Sequence, residues 1–190
     1  MIKSIKIYNR FKMDNFFITQ GPNFPFDYWY LISIYGENNT YLTDISRAVL
    51  AKIGMQKGLS LDFWDLTEKT HERVLKKFPD STLFSERQAI LIIDFLEQAQ
   101  QDTTDSVLVV HCNAGISRSG AVGTFACDYC GLNYQEFMKE NPYIMANPYV
   151  LRMLRRVSGM IPDFGSHDGI DHTEVEKGTI VLTSSIKNDK

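Results

Sequence analysis

Long apolar runs, a surplus of basic residues and a stock of cysteines are all missing from this chain of 190 residues. No run approaches the roughly 20 apolar residues that a membrane span requires, and the first residues lack the continuous apolar core of a secretory leader. Lys and Arg number 20 against 23 Asp and Glu, for a net charge of -3. Nothing in that balance calls for nucleic acid or an anionic membrane as the main partner. Three cysteines are too few for a disulfide framework and fit a reducing compartment, with the cytoplasm as the default. Internal repeats and low-complexity segments are also absent.

What is present is an ordinary soluble composition, 44% hydrophobic and 23% charged, over a length that supports one buried core. The expected layout is a single domain over 1–162, followed by a polar tail, 163–190, with one β-prone piece at 179–186. Residues 2–25 mix basic, aromatic and polar side chains, with an apolar patch at Phe16, Phe17 and Ile18 before the turn signal Gly21-Pro22. Residues 28–35 are aromatic and β-branched and predict a strand, closed by a turn at 36–39. Tyr28, Trp29 and Tyr30 fit core packing better than the wall of a pocket.

Thr43 or Asp44 can cap a helix carrying Ile45, Val49, Leu50 and Ile53, and residues 59–64 predict a second strand. Residues 67–77 are charged and helical in pattern up to Pro79. Ser85 opens a longer helix over 86–99, whose apolar face is Ala89, Ile90, Ile93, Phe95 and Leu96. Asp102 to Asp105 form the turn into a buried strand at 106–111, and an apolar helix follows over 120–130. Two more helices, 133–140 and 149–157, close the pattern. Leu151, Met153, Leu154 and Val157 read as core contacts, and Arg152, Arg155 and Arg156 as a solvated face. This alternation predicts an α/β domain with a central, mostly parallel sheet flanked by helices.

The chain is organised around the loop between the 106–111 strand and the helix after it. A strand that runs straight into a helix leaves backbone N–H groups aimed outward at the positive end of the helix dipole, which is an anion site suited to phosphate. Cys112 opens this loop and Arg118 closes it. A cysteine at a helix N-terminus beside an arginine has its nucleophilic thiolate stabilised, and the planar guanidinium takes two phosphate oxygens at once. Gly115 allows a positive φ and a close backbone approach, and Gly120 allows the first turn to pack tightly under the loop. Cys127 and Cys130, three apart on the helix, read as two buried thiols before they read as a redox pair.

The string His111-Cys112-x-Ala114-Gly115-x-Ser117-Arg118-Ser119 resembles the signature of the cysteine-dependent protein tyrosine phosphatase superfamily, and within it the small dual-specificity-like phosphatases of bacterial type. The likeness extends over roughly 59–157, through Asp62-Phe63-Trp64-Asp65, Leu83-Phe84-Ser85, the strand before Cys112 and Asn147-Pro148. It implies a tyrosine-phosphatase-like fold and hydrolysis of a phosphate monoester through a phosphocysteine. Cys112 would be the nucleophile. The amides of Asn113, Ala114, Gly115, Ile116, Ser117 and Arg118, with the Arg118 side chain, would hold the phosphate. His111 would fix the loop, and Ser119 would donate to the departing thiolate. The family also uses an aspartate as general acid. Asp65, at a strand end, is the first choice, with Asp80, at a more usual distance from the cysteine, and Asp62 as alternatives.

No cofactor and no metal are implied, because Arg118 and the loop amides carry the charge. Ala114 and Ile116 stand where phosphoinositide-directed relatives tend to carry lysines, so the implied partner is a phosphorylated protein or peptide. A small phosphate ester such as a nucleotide or sugar phosphate, or a catalytically weak phosphate-binding module, stays open. Tyr8-Asn9-Arg10 faintly resembles a substrate-recognition loop of larger tyrosine-specific phosphatases, though such a string arises easily in a surface strand.

Overall fold

A computed structural model describes residues 1–20, 26–36, 51 and 57–161. The turn at 21–22, the turn residues 37–39, the helix expected after Thr43 and the tail with its β-prone piece lie outside the described residues. A four-stranded sheet, every pairing parallel, runs in the order β1-β4-β2-β3. Its strands are β1 (Ile2–Asn9), β2 (Trp29–Tyr35), β3 (Gly58–Asp62) and β4 (Ser106–Cys112). The described helices are α1 (Arg10–Gln20), α2 (Glu68–Leu75), α3 (Glu86–Gln101), α4 (Arg118–Tyr129), α5 (Tyr134–Glu140) and α6 (Pro148–Val157), with a short 3-10 turn at Phe26–Tyr28. The α/β class and the parallel sheet flanked by helices follow the sequence pattern.

Both faces of the sheet are covered, which a parallel sheet requires. Alternation along each strand divides the side chains. Leu108 and Val110 of β4, with Tyr30, Ile32 and Ile34 of β2, enter the larger core beneath α3, α4 and α6. Val109, Trp29 and Leu31 point the other way, onto Met13 and Phe17 of α1. Phe16 stacks on Trp29 with ring centroids 4.9 Å apart. Trp29 and Tyr30 are therefore core residues of opposite faces, while Tyr28 is 50% exposed.

The first two elements are the main departure from the sequence pattern, which gave residues 2–20 no defined structure. Ile2, Ile5 and Ile7 do not alternate, so no period of two is visible. A register shift between Ile2 and Ser4 takes up the extra residue, and Ile2, Ile5 and Ile7 all reach the same core. Asn9 then ends the strand, and its Oδ1 accepts the Lys12 N–H at 2.7 Å, starting α1. β1 thus finishes beside β4, with Asn9 in register with Cys112.

Elsewhere the differences are of one or two positions. Ser85 caps α3 through a reciprocal capping box with Gln88. Ile92, and not Ile90, lies on the buried face of α3, and Ile90 is 45% exposed. Pro148 belongs to the first turn of α6, where its missing N–H is harmless. The arginines of α6 are exposed in part but paired: Arg152 with Glu68, Arg155 with Asp128 and Arg156 with Glu86, which ties α6 to α2, α4 and α3.

Candidate active site

In a parallel sheet, ligand sites form beyond the carboxyl ends of the strands. All four strands here deliver backbone to that edge, and the loop 112–118 sits at the end of the central strand β4. Cys112 is only 2% exposed, and its Sγ lies 3.1 Å from Ser119 Oγ and accepts the Gly115 N–H at 3.3 Å. The sulfur therefore faces into its own loop, with a hydroxyl and an amide on it.

Gly115 has φ +70, and a Cβ on it would stand 2.5 Å from the Asn9 nitrogen and 2.7 Å from the Tyr8 carbonyl carbon. The close approach expected of this glycine is thus made by the end of β1. Arg10 donates its N–H to the Asn113 carbonyl at 3.2 Å, so Tyr8-Asn9-Arg10 lies against the loop 112–118. Gly120 sits in the first turn of α4, where a Cβ would come within 3.1 Å of the Ile144 Cβ.

Arg118 is 2% exposed and reaches across the strand ends. Its Nη1 donates to the Tyr35 carbonyl at 2.9 Å and the Phe63 carbonyl at 3.0 Å. The Phe63 N–H is itself bonded to the Tyr35 carbonyl at 3.2 Å, and Gly36, at φ +117, leaves room for the Phe63 carbonyl to come close. The guanidinium is held by the ends of β2 and β3, elements far from it in sequence. Neither carbonyl carries a signal in the sequence, because any residue type can supply one.

His111 points to the α1 face of the sheet, away from the sulfur. Its Nε2 is 2.7 Å from Ser33 Oγ, its partner in the β2–β4 register, and its ring meets Tyr35 edge-on. Burial pushes the imidazole down from 6.5 to about 4, against Asp14, which raises it, and with Arg10, which lowers it further. A neutral ring locked between strands can brace the loop and is badly placed to exchange protons with a substrate.

Of the three candidate aspartates, Asp65 is the one that the described hydrogen bonds bring to the loop. Its Oδ1 accepts from Ser117 Oγ and from Asn147 Nδ2, each at 2.7 Å. Asp62 is exposed at the end of β3, where its carbonyl accepts from Gln88, and Asp80 is exposed in the turn after Pro79. Ser117 occupies the N-cap position of α4, yet it makes no side-chain cap bond. Its hydroxyl is committed to Asp65 and is not turned back on the helix amides.

Asn147 stood out in the sequence only as a helix start and as part of the family likeness, with no role assigned, and its reach to Asp65 is a tertiary fact. Cys127 donates to the Leu132 carbonyl at 3.6 Å, and burial raises its thiol pKa. Burial likewise raises Cys130 to about 11. Both cysteines are free; Cys127 is buried as expected, while Cys130, at the C-cap just past the end of α4, is only partly buried. Among the described residues no group of three His, Cys, Asp or Glu side chains is placed to hold a metal ion. No helix among them is long and apolar enough to cross a membrane.

Neither models of known protein families nor the curated proteins give a match to this chain. Among solved structures, a chain described as "Crystal Structure of PTPMT1 in complex with PI(5)P" is similar at 12% identity. The match covers 83% of this chain and 91% of that one, with a TM-score of 0.46.

Proposed function

We propose that this chain hydrolyses phosphate monoesters through a phosphocysteine intermediate, with phosphotyrosine in a protein or peptide as its main substrate. The observation that carries the proposal is the convergence on one loop of Cys112 Sγ, the Ser119 hydroxyl, the Gly115 amide, the Arg118 guanidinium and a carboxylate from 52 residues upstream of Ser117. Binding of an anion would account for the loop and arginine alone; a nucleophile and an acid on either side of it support chemistry.

In the first step the Cys112 thiolate attacks phosphorus. The S–P bond forms as the P–O bond breaks, and Asp65 gives its proton to the departing oxygen. Arg118 and the loop amides hold the equatorial oxygens as charge builds on them. In the second step water attacks phosphorus, Asp65 takes its proton, and the thiolate leaves with the Ser119 hydroxyl donating to it. His111 keeps the loop in place.

Exposed apolar side chains in the loop, or close in sequence to residues bonded to it, support a substrate with an apolar body. Phe11, next to Arg10, is 81% exposed, and Ile116 in the loop is 37% exposed. Met145, whose N–H bonds the Ile116 carbonyl, is 76% exposed, and Tyr143 is 83% exposed. A sugar phosphate has no use for such a rim. A nucleophilic free thiol also suits a reducing compartment, and we place the enzyme in the cytoplasm.

The deciding measurement is the pH dependence of aryl phosphate hydrolysis by wild type, Asp65→Asn, Asp80→Asn and Cys112→Ser. Asp65→Asn is expected to lose the basic limb and about a hundredfold or more in rate, Asp80→Asn to resemble wild type, and Cys112→Ser to bind phosphate without turnover. Treatment with a chelator is expected to leave the rate unchanged. Wild type inert on every aryl phosphate, or Cys112→Ser active, would overturn the proposal.

A further inference from the structure

Asn147 is 4% exposed, and the described hydrogen bonds use every polar atom of its side chain. Its Oδ1 accepts the N–H groups of Tyr149 and Val150, at 3.0 and 3.2 Å, and so caps α6. Its Nδ2 donates to Asp65 Oδ1 at 2.7 Å and to the Leu66 carbonyl at 3.2 Å. Its backbone N–H donates to the Ser117 carbonyl at 3.1 Å, one residue along from the bond between Met145 and Ile116. One residue therefore joins three pieces: its side chain ties the start of α6 to the segment that bears Asp65, and its backbone N–H ties both to the phosphate loop.

A helix cap alone does not need this residue type. Serine or aspartate would satisfy the amides of Tyr149 and Val150 equally well. Asparagine differs in carrying an acceptor and a two-proton donor on one short rigid amide. The acceptor end is spent on the helix, and the donor end is free to face the other way, onto a carboxylate. Ser117 brings a second donor to the same oxygen. Since the Asn147 amide is bonded to the Ser117 carbonyl, the two donors are fixed relative to each other as well as to Asp65.

We infer that Asn147 is a positioning residue that sets the Asp65 carboxyl for proton transfer to the leaving group, with Ser117 as its partner. The inference rests on Asp65 being the general acid of the proposed phosphatase. A partly exposed carboxylate on a strand-to-helix connection has rotamer freedom that two converging donors remove. Proton donation needs the carboxyl plane aimed at the departing oxygen within a few tenths of an ångström. What Asn147 contributes should appear only where the leaving group needs a proton.

The test compares wild type, Asn147→Ser, Asp65→Asn and the double variant on phenyl phosphate and on p-nitrophenyl phosphate. Serine keeps an oxygen for the α6 cap, but it is too short to reach Asp65. On phenyl phosphate, a poor leaving group, Asn147→Ser is expected to lose about tenfold or more in kcat, a share of the full general-acid factor. On p-nitrophenyl phosphate it is expected to lose no more than about threefold, with the inhibition constant of inorganic phosphate unchanged. In the Asp65→Asn background the same substitution is expected to have no further effect, the non-additivity of two residues acting as one unit. Equal losses on both substrates, no loss on either, or full additivity in the double variant would overturn the inference and leave the phosphatase reading intact. Wild type without turnover on either substrate would overturn that reading and this inference with it. If Asn147→Ser does not fold, Asn147→Thr, which likewise keeps a cap oxygen, adds no charge and is too short to reach Asp65, is held to the same outcomes.

Discussion

Single residues at this site serve purposes that their type alone does not reveal. Ser117 stands where a helix start ordinarily wants a capping oxygen, and its hydroxyl goes to Asp65. The first amides of α4 are then without that capping oxygen, which suits the proposed phosphate-binding role of the loop. His111 is a titratable group next to the proposed nucleophile, yet β2 and α1 enclose it, and burial lowers its pKa from 6.5 to about 4. Between those two values the unfolded chain binds a proton that the folded one does not. Stability therefore falls as pH drops through that window, by roughly 3 kcal/mol when the full difference is realised. Urea unfolding of wild type from pH 7 to pH 4 is expected to show this loss, and His111→Gln, which keeps a polar contact for Ser33 without the titration, is expected to flatten it. A slope unchanged by the substitution would mean that other groups carry the acid sensitivity.

At the level of elements, the edge strand β1 is the instructive case. A parallel edge exposes a row of unpaired N–H and C=O groups that invite association. Here a side chain covers part of it. Asn141, at the end of α5 and 6% exposed, accepts the Ile7 N–H at 2.8 Å and donates to the Ile5 carbonyl at 3.0 Å, as a neighbouring strand would. Asn141→Ala would leave both backbone groups without these partners, and a loss of about 3 kcal/mol in urea unfolding is expected. Asn141→Asp, which keeps the acceptor but turns a buried carboxylate onto the Ile5 and Phe137 carbonyl oxygens, should lose at least as much at neutral pH. The register shift that hides β1 in the sequence also brings Asn9 beside Cys112, so the same irregularity that defeats periodicity helps to build the loop's support. Helices α3 and α6 were legible because each packs one broad stripe against one neighbouring layer. By contrast α1 buries little more than Met13 and Phe17, too narrow a stripe to stand out.

On the scale of the whole molecule, the sheet gathers separate pieces of chain at one edge. The loop 112–118, the Tyr35 and Phe63 carbonyls, Asp65 and Asn147 meet there across more than a hundred residues of sequence. A ligand that engages the assembled site binds the folded chain and not the unfolded one. Inorganic phosphate at a hundredfold excess over its Kd is therefore expected to stabilise the protein by about 2.7 kcal/mol, seen as a rise of about 5–10 °C in Tm. Arg118→Ala, which removes the guanidinium at the loop's end, should abolish the shift; an equal shift in that variant would place phosphate binding elsewhere. The sequence by itself determined the α/β alternation, most strand and helix positions and the loop from Cys112 to Arg118, because period, caps and a contiguous motif are local properties. Only the tertiary structure decided which carboxylate reaches the loop, what pins Arg118, where His111 points and that β1 exists. Those depend on register and on backbone groups meeting across the sheet, and no pattern along the chain encodes the distance between two strand ends.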